Sequence, residues 1–139
     1  MKKTILFLVA IAFIAMAAST IPSVSKGMAN SELAAANYKA CIAACNECAS
    51  SCNTCASMCL KEKDVTKMAQ CAQLCMECAS LCTASSQLMS LGSENAKDVC
   101  AQCAKLCEKC ATECDKSTME QSKECAAACR KAAKSCKEM

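Results

Sequence analysis

Sixteen of the chain's eighteen cysteines fall in eight copies of one heptad, C-A-x-x-C-x-x, with Ile42 replacing the alanine in the first copy. The copies supply the thiol pairs Cys41/Cys45, Cys48/Cys52, Cys55/Cys59, Cys71/Cys75, Cys78/Cys82, Cys103/Cys107, Cys110/Cys114 and Cys125/Cys129; Cys100 and Cys136 lie outside them. On a helix, residues four apart project from adjacent turns of one face, so each pair can converge on a single ion. Thiolate is a soft, singly charged ligand, and a buried column of such charges is untenable unless cations compensate it locally. Cu(I) is the soft cation that thiolate favours, and it accepts two or three such ligands. If every thiolate bridges two coppers and every copper takes two thiolates, the filled column holds about one Cu(I) per cysteine, ~18 per chain, and is near neutrality. Zn(II) prefers closed tetrahedra of four ligands, which this pattern supplies less evenly. The chain has no His, which argues against Cu(II), haem and most catalytic zinc sites.

The elements that position these thiols follow from the same spacing. Within each run the cysteines step by alternating fours and threes, averaging 3.5 residues, the spacing of the inner positions of a left-handed helical bundle. Four runs, Cys41 to Cys59, Cys71 to Cys82, Cys100 to Cys114 and Cys125 to Cys136, predict four helices whose shared seam is sulfur. Ser31 is a good N-cap for a first helix running to about Lys61, and Asp64 one for a second running to about Met89. Leu91-Gly92-Ser93 combines a C′ glycine with a new N-cap, so a third helix spans Glu94 to about Lys116. Ser117 and Glu120 have capping-box spacing and open a fourth, ending near Lys137. Short connections make this an all-α, antiparallel, up-down-up-down four-helix bundle with a cysteine-lined core.

The residue after the first cysteine of each heptad is Ala in seven of eight copies (Ala49, Ala56, Ala72, Ala79, Ala104, Ala111, Ala126), which lets neighbouring helices approach closely. Leu74, Leu81, Val99 and Leu106 precede other seam cysteines and are expected to form a dry wall around the sulfur. Ala96 and Ala132 occupy places where further thiols would fall, so the seam is incomplete toward one end. Met68 and Met89 continue the second helix's seam at opposite ends, with Met58 and Met119 near the end of Met68. Their thioethers are either soft ligands at the bundle mouth or packing and surface residues. Beyond residue 20 only twelve Leu, Ile and Val remain. That is a thin core, which bound metal should stabilise.

Composition excludes several other classes. At 139 residues one small domain is expected, and Gly and Pro, two and one, are too few for a turn-rich disulfide knot. Residues 1–17 read as a signal peptide: Lys2 and Lys3, an apolar run from Ile5 to Ile14, then Ala15-Met16-Ala17 as a cleavage pattern. The apolar stretch is shorter than the ~20 residues that span a bilayer, so the expected product is an exported, periplasmic protein without a membrane segment after cleavage. Residues 18–30, which hold the only Pro, are expected to be a flexible arm, and residues 31–139 the metal-binding bundle. With the leader gone, Tyr38 is the one aromatic and the charge is nearly balanced, which does not suit nucleic acid. No acid–base constellation or Gly-rich loop suggests catalysis.

This repeated C-x-x-x-C seam on four helices, behind an export leader, resembles the bacterial copper storage proteins, and the resemblance covers about residues 31 to 139. It implies a four-helix bundle with inward-pointing cysteines that bind multiple Cu(I) ions, and association as a homotetramer. It also implies ligand roles for all sixteen paired cysteines, with Cys100 and Cys136 as extensions of the seam. A copper donor or acceptor protein is a further expected partner. The chain departs from the family pattern in lacking His and a twin-arginine leader. Two alternatives remain at this level: a structural bundle stapled by disulfides, which an even cysteine count in an exported chain allows, and a metallothionein-like buffer for Zn(II) or Cd(II), which would saturate well below the cysteine count.

Overall fold

The computed structural model describes residues 24–139, with side chains from residue 35 onward. Its elements are helices α1 (Val24–Cys59), α2 (Val65–Ser90), α3 (Ala96–Cys114) and α4 (Glu120–Lys137). The expected leader lies outside the described residues.

Helix α1 packs against α2 and α4, and α3 packs against the same two, so the helices stand at the corners of a square with chain neighbours side by side. Their directions alternate: Cys41 near the start of the α1 seam meets Cys136 at the end of α4, and Cys82 near the end of the α2 seam meets Cys103 early in α3. This is the up-down-up-down bundle that the spacing predicts. No described helix is long and apolar enough to cross a membrane.

Helix α1 starts at Val24, ahead of Ser31, so residues 24–30 of the expected flexible arm are helical instead. Nothing between Val24 and the alanines at 34–36 breaks a helix except Gly27, which costs only about 1 kcal/mol relative to Ala. Once the long Cys41–Cys59 segment is packed, propagating the helix toward its N-terminus is easy. At the other end of α2, Gly92 has φ +63°, the left-handed conformation that favours glycine. The Ser93 amide donates to the Leu88 carbonyl at 2.9 Å and the Gly92 amide to Met89 at 3.1 Å, a Schellman closure.

The caps read from single residues fare less well. Asp64 precedes α2 but makes no side-chain cap; its carboxylate pairs with Lys67 at 2.9 Å instead. Ser93 and Ser117 each accept a hydrogen bond at 3.2 Å from the amide two residues on, at Asn95 and Met119, so each closes a turn ahead of a helix that starts later than expected. The residues flanking α3 and α4 at their starts are Asn95 and Met119, again with no side-chain cap, and the expected Ser117–Glu120 capping box does not form.

The interior has an unusual composition. Its buried apolar residues are cysteines, alanines and Met89, and among the described residues no Leu, Ile or Val is fully buried. The alanines after the first heptad cysteines, Ala49 to Ala126, are all buried where helices meet. Leu74, Leu81 and Leu106 are half-buried, and they line a groove between α2 and α3 rather than closing a wall around the whole column. The buried polar side chains are Ser85, Ser86 and Ser122, and no charged side chain is buried among the described residues.

Candidate metal centre

All eighteen cysteines are buried free thiols. They are organised as two ladders, one between α1 and α4 and one between α2 and α3. Between α1 and α4 the rungs are Cys41–Cys136 at 3.5 Å, Cys48–Cys129 at 3.6 Å, Cys52–Cys125 at 3.5 Å, and Cys55 with the Ser122 hydroxyl at 3.7 Å. Between α2 and α3 they are Cys71–Cys114 at 3.6 Å, Cys75–Cys110 at 3.7 Å, Cys78–Cys107 at 3.4 Å and Cys82–Cys103 at 3.4 Å. Cross-contacts tie the ladders together: Cys75 lies 3.8 Å from Cys125, and Cys78 lies 3.9 Å from both Cys48 and Cys129.

The close partners are therefore on facing helices. Only two of the i,i+4 pairs approach within hydrogen-bonding range, Cys48/Cys52 at 3.9 Å and Cys103/Cys107 at 3.8 Å. The heptad places the pairs on one face as expected, but bundle packing, not the turn-to-turn spacing, sets the shortest sulfur–sulfur distances. Several sets have all their sulfurs within 4.8 Å of one another: Cys48, Cys52, Cys78 and Cys129; Cys48, Cys78, Cys82 and Cys107; Cys52, Cys75, Cys110 and Cys125; Cys55, Cys75, Cys114 and Cys125; and Cys41, Cys45 and Cys136. The third and fourth sets take one thiol from each helix. Most thiols belong to overlapping sets, the arrangement that bridging ligands require.

The ladder register also identifies the places where sulfur is missing. Ala132 falls opposite Cys45, Ser122 opposite Cys55, Ser85 opposite Cys100, and Met89 opposite Ala96. Ser122 and Ser85 were not singled out from sequence. The signal was present, since Ser85 lies three residues after Cys82 and Ser122 three before Cys125, in step with the seam. Cys59 and Cys100 sit at opposite ends, Cys59 beside Cys71 and Cys55, Cys100 beside Cys41 and Cys136. Met89 is buried, Met68 and Met119 are packed against the core, and Met58 is 42% exposed. Met58 directly precedes Cys59, one residue out of phase with the seam, which turns it to solvent.

Proximity makes the thiols share protons. Hydrogen bonding from Cys136, then Cys45, lowers Cys41 to about 4. The Cys107 thiol lowers Cys78 to about 7. Burial, with the charge of Cys41 behind it, pushes Cys100 up to about 11. An ionised thiol is thus stabilised by neighbours that stay protonated, and the network accepts more negative charge only as cations displace its protons.

Fold and site together define a helical bundle that holds soft metal ions in a thiol-lined interior. Residues 34–139 match the family model described as copper storage protein, and the chain belongs to that family. The Cu(I)-bound copper storage protein BsCsp3 is similar in structure, with TM-score 0.71 and 38% identity over 74% of this chain and 97% of that one. Apo copper storage protein 3 from Bacillus subtilis gives TM-score 0.68 and 38% identity, covering 72% of this chain and 95% of the other. A cytosolic copper storage protein from Streptomyces lividans, with five coppers loaded, gives TM-score 0.71 and 32% identity over 73% and 90% of the two chains. No curated protein sequence matches the chain.

Proposed function

We propose that this chain stores copper by sequestering multiple Cu(I) ions among the thiolates of its seam, at about one ion per cysteine, ~18 per chain when full. The observation that carries the reading is the set of overlapping three- and four-thiol clusters that runs through the bundle. All eighteen cysteines serve as ligands: Cys41, Cys45, Cys48, Cys52, Cys55, Cys59, Cys71, Cys75, Cys78, Cys82, Cys100, Cys103, Cys107, Cys110, Cys114, Cys125, Cys129 and Cys136. Copper moves between neighbouring thiolates by exchange, and the alanine-lined helix contacts keep water and oxidant from it. The role is storage, not catalysis. A free-thiol interior supports this over the disulfide-stapled alternative, and rungs of two thiols shared between clusters suit Cu(I) better than separate Zn(II) tetrahedra.

The leader-like residues at 1–17 support export, with loading outside the cytoplasm. The family resemblance supports a homotetramer that exchanges copper with a donor or acceptor protein.

The test is an anaerobic titration of the reduced mature protein with Cu(I) against a chromophoric competitor, with Zn(II) in parallel. The expected result is saturation near one Cu(I) per cysteine and much weaker Zn(II) uptake. Saturation at one or two coppers, or cysteines found as disulfides in protein from its own compartment, overturns the reading.

A further inference from the structure

Of the seam cysteines, Cys71 and Cys136 are the least completely buried, each 4% exposed. Cys136 lies in a cleft of about 370 Å³ between α3 and α4, lined by Ala101, Ala104, Lys97, Lys105 and Lys137. Met139 lines it as well, and none of the lining side chains is acidic. Lys137 is neutralised by Glu108, whereas Lys97 and Lys105 make no ion pair among the described residues. Behind Cys136 stand Cys41 and Cys45, 3.5 and 3.6 Å away, completing a three-thiol set. At this end of the bundle the α2–α3 ladder finishes in buried Met89 and Ala96, so the axial route is filled by side chains while the lateral one opens on Cys136.

We propose that this cleft is a lateral loading port, which takes Cu(I) as a small anionic complex and delivers it to Cys41, Cys45 and Cys136. The inference rests on the storage reading above and adds the form in which copper arrives. Two ammonium groups with no ion pair among the described residues, at a narrow opening lined by no acidic side chain, disfavour a bare monovalent cation and concentrate an anion, and such fields change association rates by about 10- to 1,000-fold. A cuprous ion held by two anionic ligands, thiolates among them, carries net negative charge and meets that field favourably. Transfer is ligand exchange without electron transfer. Copper–sulfur bonds form to the three cysteines as the bonds to the carrier break, the thiols lose their protons, and the carrier ligands leave protonated or as anions through the same opening.

The side chains that set the field are separate from the ligands, so they can be changed alone. Loading of the reduced protein is followed by stopped flow at low ionic strength from two donors: Cu(I) as its anionic bis-bicinchoninate complex, and Cu(I) as its cationic acetonitrile complex. The double variant Lys97→Gln, Lys105→Gln should load about tenfold more slowly from the anionic donor, no more slowly from the cationic one, and to full capacity with both. Added salt should erase the difference. Ala101→Phe, which narrows the opening from an exposed position, should slow both donors and leave final capacity intact. Wild-type rates in both variants would overturn the port and leave the storage reading standing. A wild-type protein that takes up no copper from either donor would overturn storage itself.

Discussion

Ser122 shows how much a single atom decides in this seam. Its hydroxyl occupies a rung of the α1–α4 ladder, fully buried, with the Cys55 thiol as its side-chain partner at 3.7 Å. Exchanging oxygen for sulfur there needs no backbone movement, so Ser122→Cys should raise Cu(I) capacity by about one per chain, and Ser122→Ala should not. Ala132→Cys, opposite Cys45, should do the same at the other end. Unchanged capacity in both cysteine variants would mean that rungs do not act as ligand units. In the opposite direction, Cys55→Ser with Cys59→Ser should lower capacity by about two, measured by the same titration. Residue types and heptad phase made all eighteen thiols and Met89 legible as seam positions. What the sequence concealed at this scale was partnership. Whether Cys48 lies closer to Cys52 in its own helix or to Cys129 in another depends on the rotation and register of packed helices, which no local spacing specifies.

Among the elements, the four helices and their order were readable because the seam is long and strictly periodic. Their ends were not. The glycine at position 92 was correctly read as a C′ residue, because a positive φ is a backbone demand that few residues meet. The Ser and Asp caps were misplaced, because a hydroxyl or carboxylate can close a local turn, or join an ion pair, as readily as it caps a helix. Gly92→Ala should therefore destabilise the apo bundle by about 1 kcal/mol through the left-handed strain alone, since a Cβ there meets nothing within 4 Å. A denaturant midpoint equal to wild type would show that the α2–α3 turn relaxes freely. The ion pairs Lys131–Glu47 and Arg130–Asp115 bridge elements at exposed positions. Each is expected to contribute well under 1 kcal/mol, so the bundle owes its cohesion to the close approach of alanine-lined faces.

For the molecule as a whole, the interior of thiols and methyl groups sets a weak limit on metal-free stability. Cysteine packs as a small hydrophobe, and the larger aliphatic side chains stand at the margin. Bound copper adds to this: a ligand at 1,000 times its Kd stabilises a folded state by about 4 kcal/mol per site. For a domain of this size, 1 kcal/mol moves Tm by about 4 °C, so loading several sites should raise Tm by well over 10 °C in differential scanning calorimetry. An unchanged Tm would show that the apo bundle is already fully consolidated. If stability does rise with cargo, an empty copy opens more often than a full one, and proteolysis tracks how often a protein opens. The cysteine-for-leucine interior then ties the lifetime of each copy to its contents: unfilled chains are cleared first, and the surviving population reflects how much metal the compartment has recently held.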